Sequence, residues 1–438
     1  MADELLQRAK TAVELAQRSG ADGVWASASA SRNTSCELRN GELETMQQSN
    51  SRRLSLALYV EGRYFTHDTS DIRPDRLEGF VKEAVAMTRA LEPDPDRKLP
   101  DPALYQGAVT EGLDAVDDSL AGMTAERRIA LCREMNARSH GKPKVLSSTS
   151  STHDGRWESA AVSSNGFEGH FAATWIGLYT NVTLDEGGDR RPEGGMGATA
   201  RHFADLPETG WIGDEALRQA EARLGAKKGP TMTATLVVDP QVAGRLFGAL
   251  LGPAHGRAVQ QGRSLWAGKL GKKALSKTLT LIDDPHIPRA NGSRPFDGEG
   301  IASKRRAVIE GGALQTYFLD TYYAQKLGMQ PTTDGWSNLV VTPGSGDLES
   351  IVRGVKRGVY VTSWLGGNSD ATSGEFSLGL RGHLIDKGKL GEPVGEMNVT
   401  GNIVELFSRL SAVGADTWIY GSIRSPTLVF DRVSFSGA

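Results

Sequence analysis

Cysteine is nearly missing from this chain. Of 438 residues only Cys36 and Cys132 carry thiols, far apart and outside any CxxC pair. That excludes a secreted disulfide scaffold and favours a reduced, cytoplasmic setting. No apolar run reaches the ~18 residues that a membrane-spanning helix needs. The start, MADELLQRAK, puts Asp3 and Glu4 where a signal peptide requires positive charge, and no apolar segment follows. Basic excess is missing too: the net charge is −3, with a pI near 6.3. A nucleic-acid-binding surface would need clustered Lys and Arg, so none is expected. The eight histidines contain no pair spaced three to five residues apart, so a helical zinc motif is absent.

What is present describes a soluble globular protein of 39% hydrophobic and 24% charged residues, long enough for two domains. Leu5, Leu6, Ala9, Ala12, Val13 and Ala16 recur at helical spacing, and Gly20 ends the run, which predicts a helix over Asp3 to Arg18. Alternation then begins at Val24. Asn40-Gly41 is a strong hairpin signal, and Leu54, Leu56 and Leu58 continue to a turn at Glu61-Gly62. Pro74 to Leu91 is helical again, with Pro74 suited to a first turn. PDPDRKLPDP, from Pro93 to Pro102, is an exposed crossing segment. A helix capped by Thr124 and strands over Lys144–Thr152, Arg156–Ser164 and Phe167–Leu184 repeat the helix-plus-meander pattern. Glu186 to Gly197, EGGDRRPEGGMG, lacks the GK[ST] of a phosphate loop and is expected to be a mobile loop. Asp214 to Lys227 reads as helix, and Gly229-Pro230 as a boundary.

The predicted class is therefore α+β. An N-terminal domain, residues 1–228, combines helices with an antiparallel meander, and a β-rich domain, residues 229–438, has a strongly curved or barrel-like sheet with attached helices. Strands are expected at Thr233–Val238, Thr278–Ile282, Leu339–Thr342, Gly358–Ser363, Glu375–Ile385 and Thr427–Val433, and helices at Gln241–Gly252 and Thr400–Arg409. The most committed stretch runs from Pro295 to Gly328. It holds a turn at Asp297-Gly298-Glu299-Gly300, a strand from Arg306 to Glu310 and a tight Gly311-Gly312 connection. An extended segment from Ala313 to Leu319 and a helix from Thr321 to Leu327, stopped by Gly328, complete it.

That hairpin resembles the signature of the TldD/PmbA family, named for modulation of DNA gyrase, whose characterised pairs are metalloproteases. The likeness continues through Gly374-Glu375-Phe376, Val399-Thr400-Gly401-Asn402 and Ser425-Pro426-Thr427-Leu428, spanning the C-terminal half. The resemblance implies a helix after the first strand of the second domain; in the catalytic branch it bears HExxxH. Counting back from Ser264–Gly271, SLWAGKLG, the motif falls on Phe247, Gly248 and Gly252, which offer no metal ligand. The C-terminal cysteine of that branch is also missing: Gly414 to Ser425 holds Trp418, Tyr420 and Ser422 instead.

Other candidates have plainer readings. His255 is expected to be a surface-loop histidine, Pro343–Asp347 a turn rather than a nucleophile elbow, and Asp283, Asp284, Asp297 and Glu299 backbone caps rather than acid–base pairs. The segment Thr362–Phe376 reads as a polar glycine loop between strands. Gly366, Gly367, Asn368, Ser373, Gly374, Glu375 and Phe376 are its candidate peptide-binding residues.

The resemblance therefore implies a TldE/PmbA-like subunit with no catalytic residue, metal or other cofactor of its own. It would pair with a zinc-bearing TldD-like chain as a heterodimeric cytosolic peptidase for unfolded or leader peptides, through an interface above ~2000 Å². Two alternatives stand beside it. One is a non-enzymatic homodimeric peptide-binding or regulatory protein; the other is a metal-independent hydrolase using the acidic turns.

Overall fold

The structure, a computed structural model, describes residues 2–437. The N-terminal unit contains α1 (Ala2–Arg18), β1 (Gly23–Arg39), β2 (Glu42–Val60), β3 (Arg63–Thr69), α2 (Pro74–Arg89), α3 (Ala125–Asn136), β4 (Val145–Ser163), β5 (Glu168–Leu184), β6 (Glu193–Ala200) and α4 (Thr209–Glu221). Its strands form one antiparallel sheet in the order β3-β2-β1-β4-β5-β6. The two expected meanders are thus halves of a single sheet, joined where β1 pairs with β4 from Trp25↔Ser163 to Arg39↔Thr149. Alternation decides which face is covered. Val24, Ala26, Ala28, Leu54, Leu56 and Leu58 pack under α1 and α2, while Cys36, Leu38, Leu178 and Val182 pack under α3 and α4. Asn40 and Gly41 both take positive φ, 51° and 84°, as a two-residue hairpin turn requires.

Two N-terminal expectations need correction. Lys144–Thr152 and Arg156–Ser164 are one strand, β4, because Asp154 and Gly155 stay in register with β1 and β5. Asp154 is buried and receives two hydrogen bonds from Arg128, at 2.6 and 2.7 Å, so a charged residue marks a core ion pair rather than a break. Glu186–Gly197 is not all loop, since β6 begins at Glu193. Its glycines have a packing reason: a Cβ on Gly194 would stand 2.1 Å from the Ala220 backbone nitrogen, so only glycine lets α4 lie this close.

The C-terminal unit contains β7 (Lys227–Lys228), β8 (Met232–Val238), α5 (Gly244–Leu251), α6 (Gly256–Gln260), β9 (Leu281–Asp283), β10 (Arg306–Glu310), β11 (Ala313–Leu314), α7 (Thr321–Leu327), β12 (Leu339–Val341), α8 (Leu348–Gly354), β13 (Arg357–Ser369), β14 (Glu375–Asp386), β15 (Lys389–Asn402), α9 (Ile403–Ser408), β16 (Leu410–Val413), β17 (Ile423–Arg424) and β18 (Leu428–Ser436). β18, β8, β13, β14 and β15 hydrogen-bond in succession, and β15 returns to β18 through Asn398↔Ser436 and Val399↔Phe435, which closes a five-stranded barrel. The expected curved or barrel-like domain is this closed barrel. A second sheet, β11-β10-β9-β12-β17, carries the signature hairpin. Gly311 and Gly312 turn it with φ of 52° and 83°, and Gly328 ends α7 in the left-handed region.

β15 was not anticipated. The expected helix Thr400–Arg409 begins only at Ile403, and Thr400 lies in β15, whose polar sequence hides its pairing with β14. The expected strand at Thr278–Ile282 starts at Leu281, and Ala313–Leu319 is strand only to Leu314.

The two units are pinned together by the signature stretch. A Cβ on Gly300 would stand 2.7 Å from Trp25, and Phe296 meets Phe167 edge-on at 5.0 Å. In the proline-rich crossing segment Arg97 stacks between Tyr64 and Tyr322, 4.5 and 3.5 Å from their ring centres, and the Tyr322 hydroxyl donates to Asp94.

Candidate functional site

The element that would carry chemistry is α5, and its ends are held by side chains from elsewhere. Ahead of its first turn, the Trp364 indole donates to the Val242 carbonyl at 2.9 Å, and Arg245 in that turn donates to the Gly367 carbonyl at 3.0 Å. At its C-terminal end, orphan carbonyls are met by the SLWAGKLG segment. The Trp266 indole donates to Leu250 O at 2.7 Å, and the Ser264 hydroxyl to Pro253 O at 2.6 Å. Leu246, Phe247, Leu250 and Leu251 are all buried on the core face. Phe247 joins an aromatic row through Phe407, 5.4 Å away, to Phe430, a further 5.3 Å. Gly248 and Gly252 face open space, with nothing within 4 Å of an added Cβ.

These residues do not fit a zinc ion. Zinc is held by nitrogen, sulfur or carboxylate oxygen. Phe247 offers a ring sealed in the core, and the glycines offer no side chain. Among the described residues, no group of three or more His, Cys, Asp or Glu side chains is placed to hold a metal ion.

His255, expected on a surface loop, is instead half-buried. Its ring stacks on Phe318 and Trp336 at 5.1 and 5.4 Å, and burial lowers its pKa. The acidic turns behave as caps. Asp297 accepts from the Glu299 and Ile301 amides at 3.0 Å, and Glu299 accepts from the Thr321 amide and hydroxyl at 2.8 Å. Asp283 accepts from the Ser337 amide and hydroxyl, and Asp284 from the His286 amide. Asp347 caps α8 through the Ser350 amide, so Pro343–Asp347 is a turn. Burial nevertheless pushes Asp297 up to about 6, helped by the charge of Asp334, and pushes Glu299 up to about 7 against the opposing pull of its Thr321 hydrogen bonds.

The stretch Thr362–Phe376, read as a loop, is a correction: only Asp370–Gly374 lies outside strands. Gly366, Gly367 and Asn368 belong to β13, and Glu375 and Phe376 open β14. The strands pair as Gly367↔Leu378, Asn368↔Ser377 and Ser369↔Phe376, around a bulge between Trp364 and Gly367. A serine- and glycine-rich run carries no apolar alternation, so the strand was hidden. Gly367 has φ of 109°, and a Cβ there would fall 2.0 Å from the Ser377 carbonyl oxygen. Ser373 and Gly374 form the turn, where the Asn402 amide group donates to the Ser373 carbonyl and to Glu375. Phe376 is buried in the barrel core, so it supports the corner from beneath. The corner adjoins α5 through the Arg245 bond to the Gly367 carbonyl, and meets the segment after α6 where the Leu265 amide donates to the Ala371 carbonyl at 2.9 Å. β8 pairs with β13 only as far as Val361, so among the described residues no strand covers β13 from Thr362 to Ser369 on that side.

A larger cleft, missed by sequence reasoning, lies between the units. It encloses about 970 Å³ between α4 with the β6 edge and the outer barrel wall of β13, β14 and β15. Asp239, at the end of β8, lines it and has its pKa raised by burial, while accepting from the Tyr360 hydroxyl and the Gln241 amide.

Comparison with known proteins accounts for this architecture along the chain. Residues 26–88, 118–224 and 231–437 match, in turn, domain 1, the central domain and the C-terminal domain of the PmbA/TldA metallopeptidases. Metalloprotease PmbA of Escherichia coli O157:H7 is 26% identical over 449 residues, covering 99% of this chain and 96% of that protein. A crystal structure from Bacteroides thetaiotaomicron, described as a modulator of DNA gyrase, is 38% identical with a TM-score of 0.97, covering 100% of this chain and 99% of that one. TldE of Thermococcus kodakarensis, 18% identical, shares the fold with a TM-score of 0.88 over 98% of this chain and 100% of its own. The chain belongs to the PmbA/TldD family.

Proposed function

We propose that this chain is the TldE/PmbA-like, catalytically silent subunit of a two-chain cytosolic peptidase, whose zinc is carried by a TldD-like partner and whose substrates are unfolded or leader peptides. One observation carries the reading. The helix at which the catalytic branch holds its metal is built here with Phe247 sealed into an aromatic row and glycine at both other motif positions. Installing a first zinc ligand would mean removing a core side chain, so the helix is committed to packing.

The uncovered side of β13 supports a role in gripping peptide. An extended segment laid along Thr362–Ser369 would find main-chain groups other than the Gly367 carbonyl, which Arg245 already engages, and open space at Gly366. Gly367, Ser373, Gly374 and Glu375 shape that corner, and Phe376 holds it from below. Each added main-chain hydrogen bond is worth about 1 kcal/mol net, so the grip depends on several acting together. A grip of this kind is indifferent to side-chain identity, which suits unfolded substrates.

The test is reconstitution. The isolated chain should release no fragments from an unstructured peptide, and the mixture with a TldD-like chain bearing HExxxH should cleave it in a chelator-sensitive way. Cleavage by the isolated chain, or a partner equally active with and without it, would refute the proposal.

A further inference from the structure

The cleft between α4 and the barrel wall has a charge pattern that α5 and the β13 corner do not explain. Most basic side chains lining it are matched. Arg218 pairs with Glu215 at 2.6 Å, Arg190 with Glu186 at 3.1 Å and Lys228 with Glu396 at 3.6 Å. Two guanidinium groups are not matched. Arg381, on β14, makes no side-chain hydrogen bond or ion pair among the described residues, and Arg223, just past α4, donates only to the Glu193 carbonyl. Burial and the neighbouring positive charge of Arg381 depress the pKa of Arg223 against the opposing pull of Glu193, so the two guanidinium groups are close enough in the cleft to repel each other. His383, two residues along β14 from Arg381, donates its Nε2–H to the Ala222 carbonyl; burial and the nearby arginines lower its pKa, so its Nδ1 is an acceptor and adds no donor for an anion. The acid nearest the cleft floor, Asp239, is held toward its neutral form and occupied by Tyr360, so it offers these arginines little.

From this juxtaposition of Arg223 and Arg381 in an open cleft, we infer a carboxylate-binding subsite for the substrate peptide, taking its C-terminal carboxylate or an Asp or Glu side chain. Two guanidinium groups, neither hydrogen-bonded to a protein carboxylate among the described residues, form a site that a carboxylate completes through charge-assisted hydrogen bonds. The volume, about 970 Å³, accommodates several residues around the anchored group. The inference rests on the peptide-handling role proposed above and specifies which peptides are held best.

Binding of fluorescent alanine-rich hexapeptides to the full chain, followed by anisotropy, tests it with three probes. One has a free C-terminus, one is C-terminally amidated and neutral, and one is amidated with a single internal Glu. Whichever carboxylate is the true ligand, its peptide should bind at least about tenfold more tightly than the neutral amide, a difference of about 1.4 kcal/mol. Arg381→Gln should abolish that preference without changing the neutral peptide's affinity. Arg381 is exposed, so this variant keeps the fold; Lys10→Gln, on α1, serves as a charge control that leaves the preference intact. Equal binding of acidic and neutral peptides, unaffected by Arg381→Gln, would overturn the subsite while sparing peptide handling. Failure of every peptide to bind would overturn both.

Discussion

Glu299→Gln should remove a specific part of the protein's pH sensitivity. Glu299 joins the units: its carboxylate caps the start of α7 through Thr321, and it lies within electrostatic reach of Tyr59 and Tyr105 of the N-terminal unit. Burial raises its pKa from 4.5 to about 7, and that of Asp297, two residues away, from 3.8 to about 6. For a carboxyl whose folded-state pKa is raised, the folded chain binds more protons than the unfolded one between the two values. The stability it supports is therefore present below the unfolded value and lost as pH rises through the folded one. A shift of about 2.5 units corresponds to roughly 3 kcal/mol of stability lost between about pH 4 and pH 7, at 1.36 kcal/mol per unit. Glutamine keeps an acceptor for the Thr321 amide and hydroxyl but cannot ionise. Urea unfolding of both proteins at pH 5 and pH 8 should therefore show the wild type losing about 2.5 kcal/mol more than the variant over that range, the rest of the loss falling below pH 5. Parallel pH profiles would refute the burial argument.

Three further outcomes follow from the packing. Phe247→Ala should cost about 3–5 kcal/mol by opening a cavity beside Phe407 and Phe430, seen as a lowered melting temperature with no change in metal content. Arg128→Ala should cost about 3–5 kcal/mol, because it leaves Asp154 charged and unpaired in the core; Arg128→Met with Asp154→Leu should recover most of that loss in denaturant unfolding. Gly367→Ala places a Cβ against the Ser377 carbonyl and forces alanine to positive φ. It should cost about 1–3 kcal/mol in thermal melts and weaken peptide binding, while leaving the circular dichroism of the folded chain intact.

Much of the fold was legible where local chemistry decides it. Asn40-Gly41, Arg306–Glu310, Gly311-Gly312 and the Thr321–Leu327 helix stopped by Gly328 all follow from local pattern, turn and stop residues, and each is found as read. The long strands were shortened in the reading because their middles are polar. From Ser29 to Ser35 and Gln47 to Arg53, neither face supplies an apolar alternation, yet pairing to neighbours carries the backbone straight through. Glycine misled in the same way at Glu193–Gly197 and Gly366–Gly367, where its small size serves close approach of a helix or a bulge rather than a loop. At the site, the missing ligands on α5 and the capping acids could be read from residue type alone. The arginine cleft could not: Arg223 and Arg381 lie 158 residues apart on two units, and no spacing signals their meeting.

We propose that α5 is committed to packing and that this chain relies on a partner for its metal. Elemental analysis of the purified chain, alone and in complex with a TldD-like chain, tests it most directly. The lone protein should carry no zinc and the pair one zinc, with peptidase activity only in the pair. Stoichiometric zinc on the lone chain, bound through its own side chains, would contradict it.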